Sequence, residues 1–238
     1  MDKRLQSIMQ KMDLMKLGLD DTFHFGCRQC GKCCINREDI LLNAKDMYNL
    51  CKALNLTAEQ VVQQYCEVYI GHDSRMPIVR LKPRGSIKRC PLLKDRKCSV
   101  HSLKPTVCAM FPIGRCLELN QKEVADKDLR KSQIVFFHNQ ADCGDKKEMH
   151  TVREWLAMFG IPIEDESFYI WHQTIIGVSD FVHKVEDKLP ENVMLQIWSN
   201  IFMVLYLHID PKEEFLPQLR SNSQGLLAAL NALDLSTI

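Results

Sequence analysis

The sequence predicts a compact, mainly α-helical single domain carrying a small, irregular module of short strands and loops rich in cysteine. Two observations predict it. All eleven cysteines fall between Cys27 and Cys143, four of them in the run Cys27-Arg28-Gln29-Cys30-Gly31-Lys32-Cys33-Cys34. Beyond Lys146, apolar residues recur three and four apart, the period of helices with one buried face. No internal repeat, low-complexity tract or linker separates the two textures. The expected organisation is therefore an N-terminal amphipathic helix over 1–21, a cysteine-cluster metal-binding module over 22–145, and a helical part over 146–238 packed on it.

Taken in order, Leu5, Ile8, Met9, Met12, Met15 and Leu17 interleave with charges and predict the first helix. Asp20 to Gly26 is a lead-in with Phe23, His24 and Phe25, and the four-cysteine run follows as a loop in which Gly31 supplies turn freedom. Asn43 with Asp46 three residues on opens a helix through Met47, Leu50, Cys51 and Leu54. Thr57 with Gln60 is a capping box opening another, with Val61, Val62, Tyr65, Cys66 and Tyr69 on one face. Cys51 and Cys66 thus lie on apolar faces and read as small core residues. Ile78–Leu81 and Lys97–Val100 read as short strands, broken by Pro83, Gly85 and Pro91. Lys104 to Pro112 predicts one helical turn bounded by prolines, Gln133 to Phe137 a strand, and Asp142 to Asp145 a turn. The helical part comprises Thr151–Phe159 ended by Gly160, a long amphipathic helix over 164–189 stopped by Pro190, a buried central helix over 193–208, and a last helix from about Phe215 to Leu233.

At 238 residues the chain can bury a core without staples. Hydrophobic and charged contents of 46% and 26% are ordinary for a globular protein, and a net charge of +1 gives no global case for nucleic-acid or membrane binding. The balance hides a basic segment from His72 to Lys104, at +8 against −7 for the rest. It compensates nearby thiolates or, alternatively, docks an anionic partner. The longest apolar run, Ile201 to Leu207, is too short to cross a bilayer. With no secretory signal at the N-terminus, a cytoplasmic location is expected. There thiols stay reduced, so an odd number of cysteines in CxxC spacings points to metal ligation rather than disulfides.

Tetrahedral zinc and an iron–sulfur cubane both take four thiolates. Cys27-x2-Cys30-x2-Cys33 is the three-ligand spacing of cubane ferredoxins, and Cys90-Pro91 offers the remote Cys-Pro pair. This favours an iron–sulfur cluster, although zinc tolerates the same spacing. In extended chain the neighbours Cys33 and Cys34 point opposite ways, so they serve two sites more easily than one. Cys90, Cys98, Cys108 and Cys143 bring the candidate metal ligands to eight, enough for two four-thiolate sites; Cys116 is held in reserve. Among the histidines only His101 lies within the framework, as a neighbour of the site rather than a ligand. There is no GxSxG, HExxH, P-loop or dinucleotide fingerprint, and no catalytic residue is assigned.

Together, Cys27-x2-Cys30-x2-Cys33-Cys34, Cys90-Pro91-Leu92-Leu93, Cys98-Ser99-Val100-His101 and Lys104-Pro105-x2-Cys108-x2-Phe111-Pro112 resemble the YkgJ-type cysteine-cluster family (CxxCxxCC), described as zinc- or iron-chelating and related to the flagellin lysine N-methylase. Cys143-Gly144 resembles a later Cys-Pro-Gly element of longer members. The chain departs from the family where Lys104 replaces an arginine, where Ala109 follows Cys108, and where Asp145 follows Cys143-Gly144 with no proline between the cysteine and the glycine. The resemblance implies metal binding, and through its methylase branch implies lysine methylation from S-adenosylmethionine, for which no donor pocket is identified here. The reading is thus a metal-binding protein with an accessory or binding role and a protein partner. The alternatives are a cluster-dependent protein-lysine methyltransferase and a structural zinc module docking an anionic partner.

Overall fold

A computed structural model describes residues 15–119 and 129–233. The strands are β1 Lys16–Leu17, β2 Thr22–Gly26, β3 Cys66–Ile70, β4 Pro77–Leu81, β5 Leu93–Lys94, β6 Lys97–Cys98, β7 Ile113–Glu118, β8 Gln133–His138 and β9 Asp145–Thr151. The α-helices are α1 Ala44–Leu54, α2 Ala58–Tyr65, α3 Thr106–Met110, α4 Val152–Met158, α5 Glu166–Val185, α6 Glu191–Phe202 and α7 Phe215–Asn231. The protein is mainly helical with small antiparallel sheets, in the orders β1-β8-β7, β2-β9, β3-β4 and β5-β6. Most of the expected first helix, residues 1–14, lies outside the described residues; Lys16 and Leu17 pair with Phe137 and Phe136 as a strand.

The helix starts follow from side-chain chemistry legible in the sequence. Asn43 accepts from the Asp46 amide at 2.9 Å while Asp46 accepts from the Asn43 amide at 3.2 Å, closing a capping box that satisfies amides helical bonding leaves unpaired. Thr57/Gln60 and Thr151/Glu154 do the same for α2 and α4. Asp46 does more than cap. It is fully buried, and its other oxygen accepts from both the amide and the hydroxyl of Thr106 at 2.7 Å, tying α1 to the start of α3. Replacing Asp46 with alanine leaves these donors without an acceptor and is expected to destabilise the fold by roughly 3 kcal/mol. Urea unfolding measures it; a change within ~0.5 kcal/mol, typical of a surface site, contradicts this role.

Three expectations need correction. The helix opened by Thr57 stops at Tyr65, because Cys66 to Ile70 pair with Leu81 to Pro77 as a hairpin; Tyr69 belongs to that strand, not to a helical face. The segment over 193–208 is not apolar all round in its packing. It is α6 followed by a π-helical turn over Met203–Leu207, burying Met194, Ile197, Ile201 and Leu205 while Leu195 and Met203 stay exposed. Only one face has neighbours to pack on. Finally, β2, β7 and β9 are strands that periodicity does not reveal; β9 carries Asp-Lys-Lys-Glu-Met-His-Thr, mostly exposed, and its pairing with β2 defines it.

Two principal cores result, and neither follows chain order. The larger joins Met47, Leu50 and Val61 of α1 and α2 to Val79 of β4, Val178 and Val182 of α5, and Ile201 of α6. The smaller is aromatic, with Phe23 and Phe25 of β2, Met110 of α3, Phe136 of β8, and Val152 and Trp155 of α4. The thiol cluster lies between them: Cys90, Cys98 and Cys108 pack on the first core, Cys143 on the second.

Candidate metal centre

Four pieces of local structure deliver the thiols. The cysteine loop turns at Gly31, in the left-handed region at φ 74°, where an added Cβ would sit 3.0 Å from the Arg96 carbonyl of the β5-β6 hairpin. A single 3₁₀ turn, Lys32–Cys34, follows. The chain beyond it runs against 87–90, with the Asn36 amide on the Ile87 carbonyl at 3.0 Å and the Cys90 amide on the Cys34 carbonyl at 2.8 Å, so Cys90 is fixed beside Cys34. The β5-β6 hairpin pairs Leu93 with Cys98. Helix α3, started by Pro105 and held by Asp46, presents Cys108. At the other end, β2 and β9 pair Gly26 with Asp145, and an Arg28–Asp145 ion pair ties the loop after β2 to the start of β9, which carries Cys143 to the start of the four-cysteine run. Gly144, at φ 86°, allows this approach: a Cβ there would strike the Phe25 ring and the Gly26 carbonyl.

The turn brings Cys33 and Cys34 closer than extended chain would, with sulfurs 3.9 Å apart. The backbone here is a 3₁₀ turn and not the extended chain in which neighbouring side chains part. With Zn–S bonds of about 2.3 Å, two thiolates on one tetrahedral ion lie about 3.8 Å apart, so this spacing also suits ligands of a common centre. The electrostatics chain the eight candidates together. Hydrogen bonding with Cys34 lowers Cys33 to about 6 and Cys90 to about 7, while Cys34, lying between those two sulfurs, is held strongly in its protonated form. Burial raises Cys143 to about 11, with Cys33, Cys30 and Cys27 as its thiol neighbours. Burial likewise raises Cys98 and Cys108, whose thiol neighbours are Cys90 and Cys33. Electrostatically the cluster is one connected group: Cys27, Cys30 and Cys143 on one side, Cys34, Cys90, Cys98 and Cys108 on the other, and Cys33 interacting with both. Cys143, and not only Cys90, is thus a thiol neighbour of the CxxCxxC run.

The described residues contain no group of three or more Cys, His, Asp or Glu side chains drawn closely enough to hold one ion. The donor set nevertheless fits a thiophilic metal: all eight thiols are free, and Lys104 and Arg37 lie where they stabilise thiolate charge at Cys33.

Residues 26–143 match a family model, CxxCxxCC, whose description reads "Putative zinc- or iron-chelating domain". Through this segment the chain belongs to the CxxCxxCC family. No solved structure matches the chain. The match runs from the residue before Cys27 to Cys143 and so contains the whole thiol cluster of this CxxCxxCC protein.

The remaining cysteines sort differently. Cys51 and Cys66 are buried in the larger core, where desolvation raises them to about 11 and about 12. Cys116, on β7, has Glu118 and Lys16 as charged neighbours and no thiol. Cys116→Ser is therefore expected to retain the full metal content of the wild type, as read by elemental analysis of the purified chain; a loss equal to one site contradicts the placement. His101 sits near Lys104, and burial lowers its pKa.

Of the basic segment, Lys104 alone acts on the thiols. Arg75 pairs with Glu186, Arg80 with Glu67 at 2.5 Å, and Lys88 with Glu38, while Lys94, Arg96 and Lys97 are exposed. Arg37, outside the segment, supplies the second cation. Sequence reasoning missed it, although it stands three residues beyond Cys34. The spacing of Asp46 from Asn43 announces its capping role but not its bond to Thr106. Among the described residues no helix is long and apolar enough to cross a membrane.

Proposed function

We propose that this CxxCxxCC protein holds its metal at two adjacent four-thiolate sites, one from Cys27, Cys30, Cys33 and Cys143 and one from Cys34, Cys90, Cys98 and Cys108, with iron–sulfur clusters favoured over zinc. The observation that supports the reading is that the eight free thiols are electrostatic neighbours in two sets, Cys143 with Cys27, Cys30 and Cys33, and Cys90 with Cys34, Cys98 and Cys108. The preference for iron rests on the Cys27-x2-Cys30-x2-Cys33 spacing. Bound clusters supply one-electron chemistry; zinc supplies a structural clamp.

The chain's own residues do the rest. Arg37 and Lys104 offset the charge of the thiolates, as cations beside an anionic centre do. The Gly31 and Gly144 turns let backbone approach closely, and the capping boxes hold the surrounding helices. We read the protein as an accessory or binding module in the cytoplasm. Anaerobic purification followed by iron, sulfide and zinc analysis, with absorbance in the thiolate-to-iron charge-transfer region, tests the metal. Colour with iron and sulfide in equal amounts is expected; a colourless protein holding stoichiometric zinc replaces the iron reading with zinc.

A further inference from the structure

Beside the thiol cluster, and lined by none of its cysteines, is a cleft of about 680 Å³. Its floor is cationic. Lys45 of α1 stands 4.7 Å from the centre of the Phe215 ring and 5.0 Å from that of Tyr48; Lys104 is buried with its ammonium 4.2 Å above the Phe159 ring. Among the described residues neither lysine makes an ion pair within 4 Å. The third cation is Arg115 of β7, whose side chain is only 7% exposed. Its Nη2 donates to Asp165 at 2.7 Å and its guanidinium lies 4.0 Å over Phe168, but its Nη1, shielded from solvent, has no hydrogen-bond partner.

A buried guanidinium nitrogen without an acceptor is costly and calls for a partner. Beneath the cleft a lobe of about 20 Å³ shares Lys45, Thr106, Arg115, Asp165 and Phe215 with it. That is the size of a single oxygen-bearing group. Asp165 is already committed to Arg115, to the Ser167 hydroxyl at 2.6 Å and to the Phe168 amide at 3.2 Å, so it does not serve Nη1. Glu164 and Glu214 stand at the exposed rim, screened by water, and Glu166 is paired with Arg220 at 2.6 Å. Burial also holds Lys45 below its ordinary range, a strain that an incoming anion relieves.

The geometry points to an oxyanion-binding site: the cleft takes a small molecule through a phosphate or carboxylate group received by Arg115 Nη1, Lys45 and Lys104. Phe159, Tyr48 and Phe215 form the apolar walls for the rest of the ligand. Lys104 also faces Cys33 and Cys98, so the bound oxyanion lies next to the metal centre, although the site does not depend on which metal is present.

The test is calorimetric titration of the full, metal-loaded chain with inorganic phosphate and with succinate, at constant ionic strength. One site per chain is expected for at least one of the two. Phosphate alone marks a phosphorylated ligand, and succinate alone a carboxylate. Lys45→Gln should weaken binding at least tenfold while Lys45→Arg restores it, Lys94→Gln on the exposed hairpin should leave it unchanged, and metal content should stay constant throughout. Arg115→Gln should abolish binding; because Arg115 also holds Asp165, Lys45→Gln carries the test if that variant does not fold. No binding of either anion, an adventitious ion only (weak, non-saturating heat insensitive to Lys45→Gln), or unchanged affinity in Lys45→Gln overturns the assignment.

Discussion

Cys30→Ala is expected to lose about half of the bound metal and Cys98→Ala the other half, since each four-thiolate site needs all its ligands, while Cys33→Ala should lose the first site and weaken the second by disturbing the adjacent Cys34. Cys51→Ala should keep the full complement, because its thiol lies in the larger core, away from the cluster. The special position of Cys33 follows from its sulfur, 3.9 Å from that of Cys34, and from its being a thiol neighbour of Cys143. Metal and sulfide per chain, measured on each variant, decide the matter. Complete loss in every ligand variant means a single centre; equal loss from Cys30→Ala and Cys51→Ala refutes the sorting of ligands from core. The ligand variants should also unfold at lower denaturant concentration, because metal binding energy in such modules is folding energy.

Trp155→Ala is expected to destabilise the protein by about 3–5 kcal/mol, the range for removing a large aromatic from a packed core. Trp155 is 1% exposed. It meets Phe23, Phe25 and Phe159 edge-on with centroids 5.4–5.7 Å apart, and its indole donates to the Met110 carbonyl at 2.9 Å. Those partners matter to the centre. Phe25 stands one residue from the end of β2, which leads into Cys27, and Met110 ends the helix that carries Cys108. The variant should therefore hold metal more loosely as well, measurable as faster release to a chelator. Trp155→Phe, which keeps most of the packing but loses the hydrogen bond, should cost much less. Equal destabilisation by the two would assign the effect to the hydrogen bond rather than to packing.

The sequence by itself determined the helix starts and the class of chemistry. Asn43/Asp46 and Thr57/Gln60 are local codes: a side chain satisfying an amide three residues away needs no tertiary partner to be recognised. The thiol inventory is similarly local, because CxxC spacing and free cysteines in number leave few other uses. What the sequence could not carry were pairings between distant segments. The strand character of Asp145–Thr151 comes from β2, more than a hundred residues earlier, and its charged sequence has no alternation to announce it. That same pairing places Cys143 beside Cys27, Cys30 and Cys33. The 3₁₀ turn after Gly31 brings the Cys33 and Cys34 sulfurs together where extended geometry would part them. The Arg115 nitrogen without an acceptor and the two lysines over aromatic rings belong to elements scattered from α1 to α7, and only folding gives them a common cleft. Local hydrogen bonding is written in neighbouring residues; burial, sulfur proximity and an unpaired charge exist only once remote segments exclude water from one another.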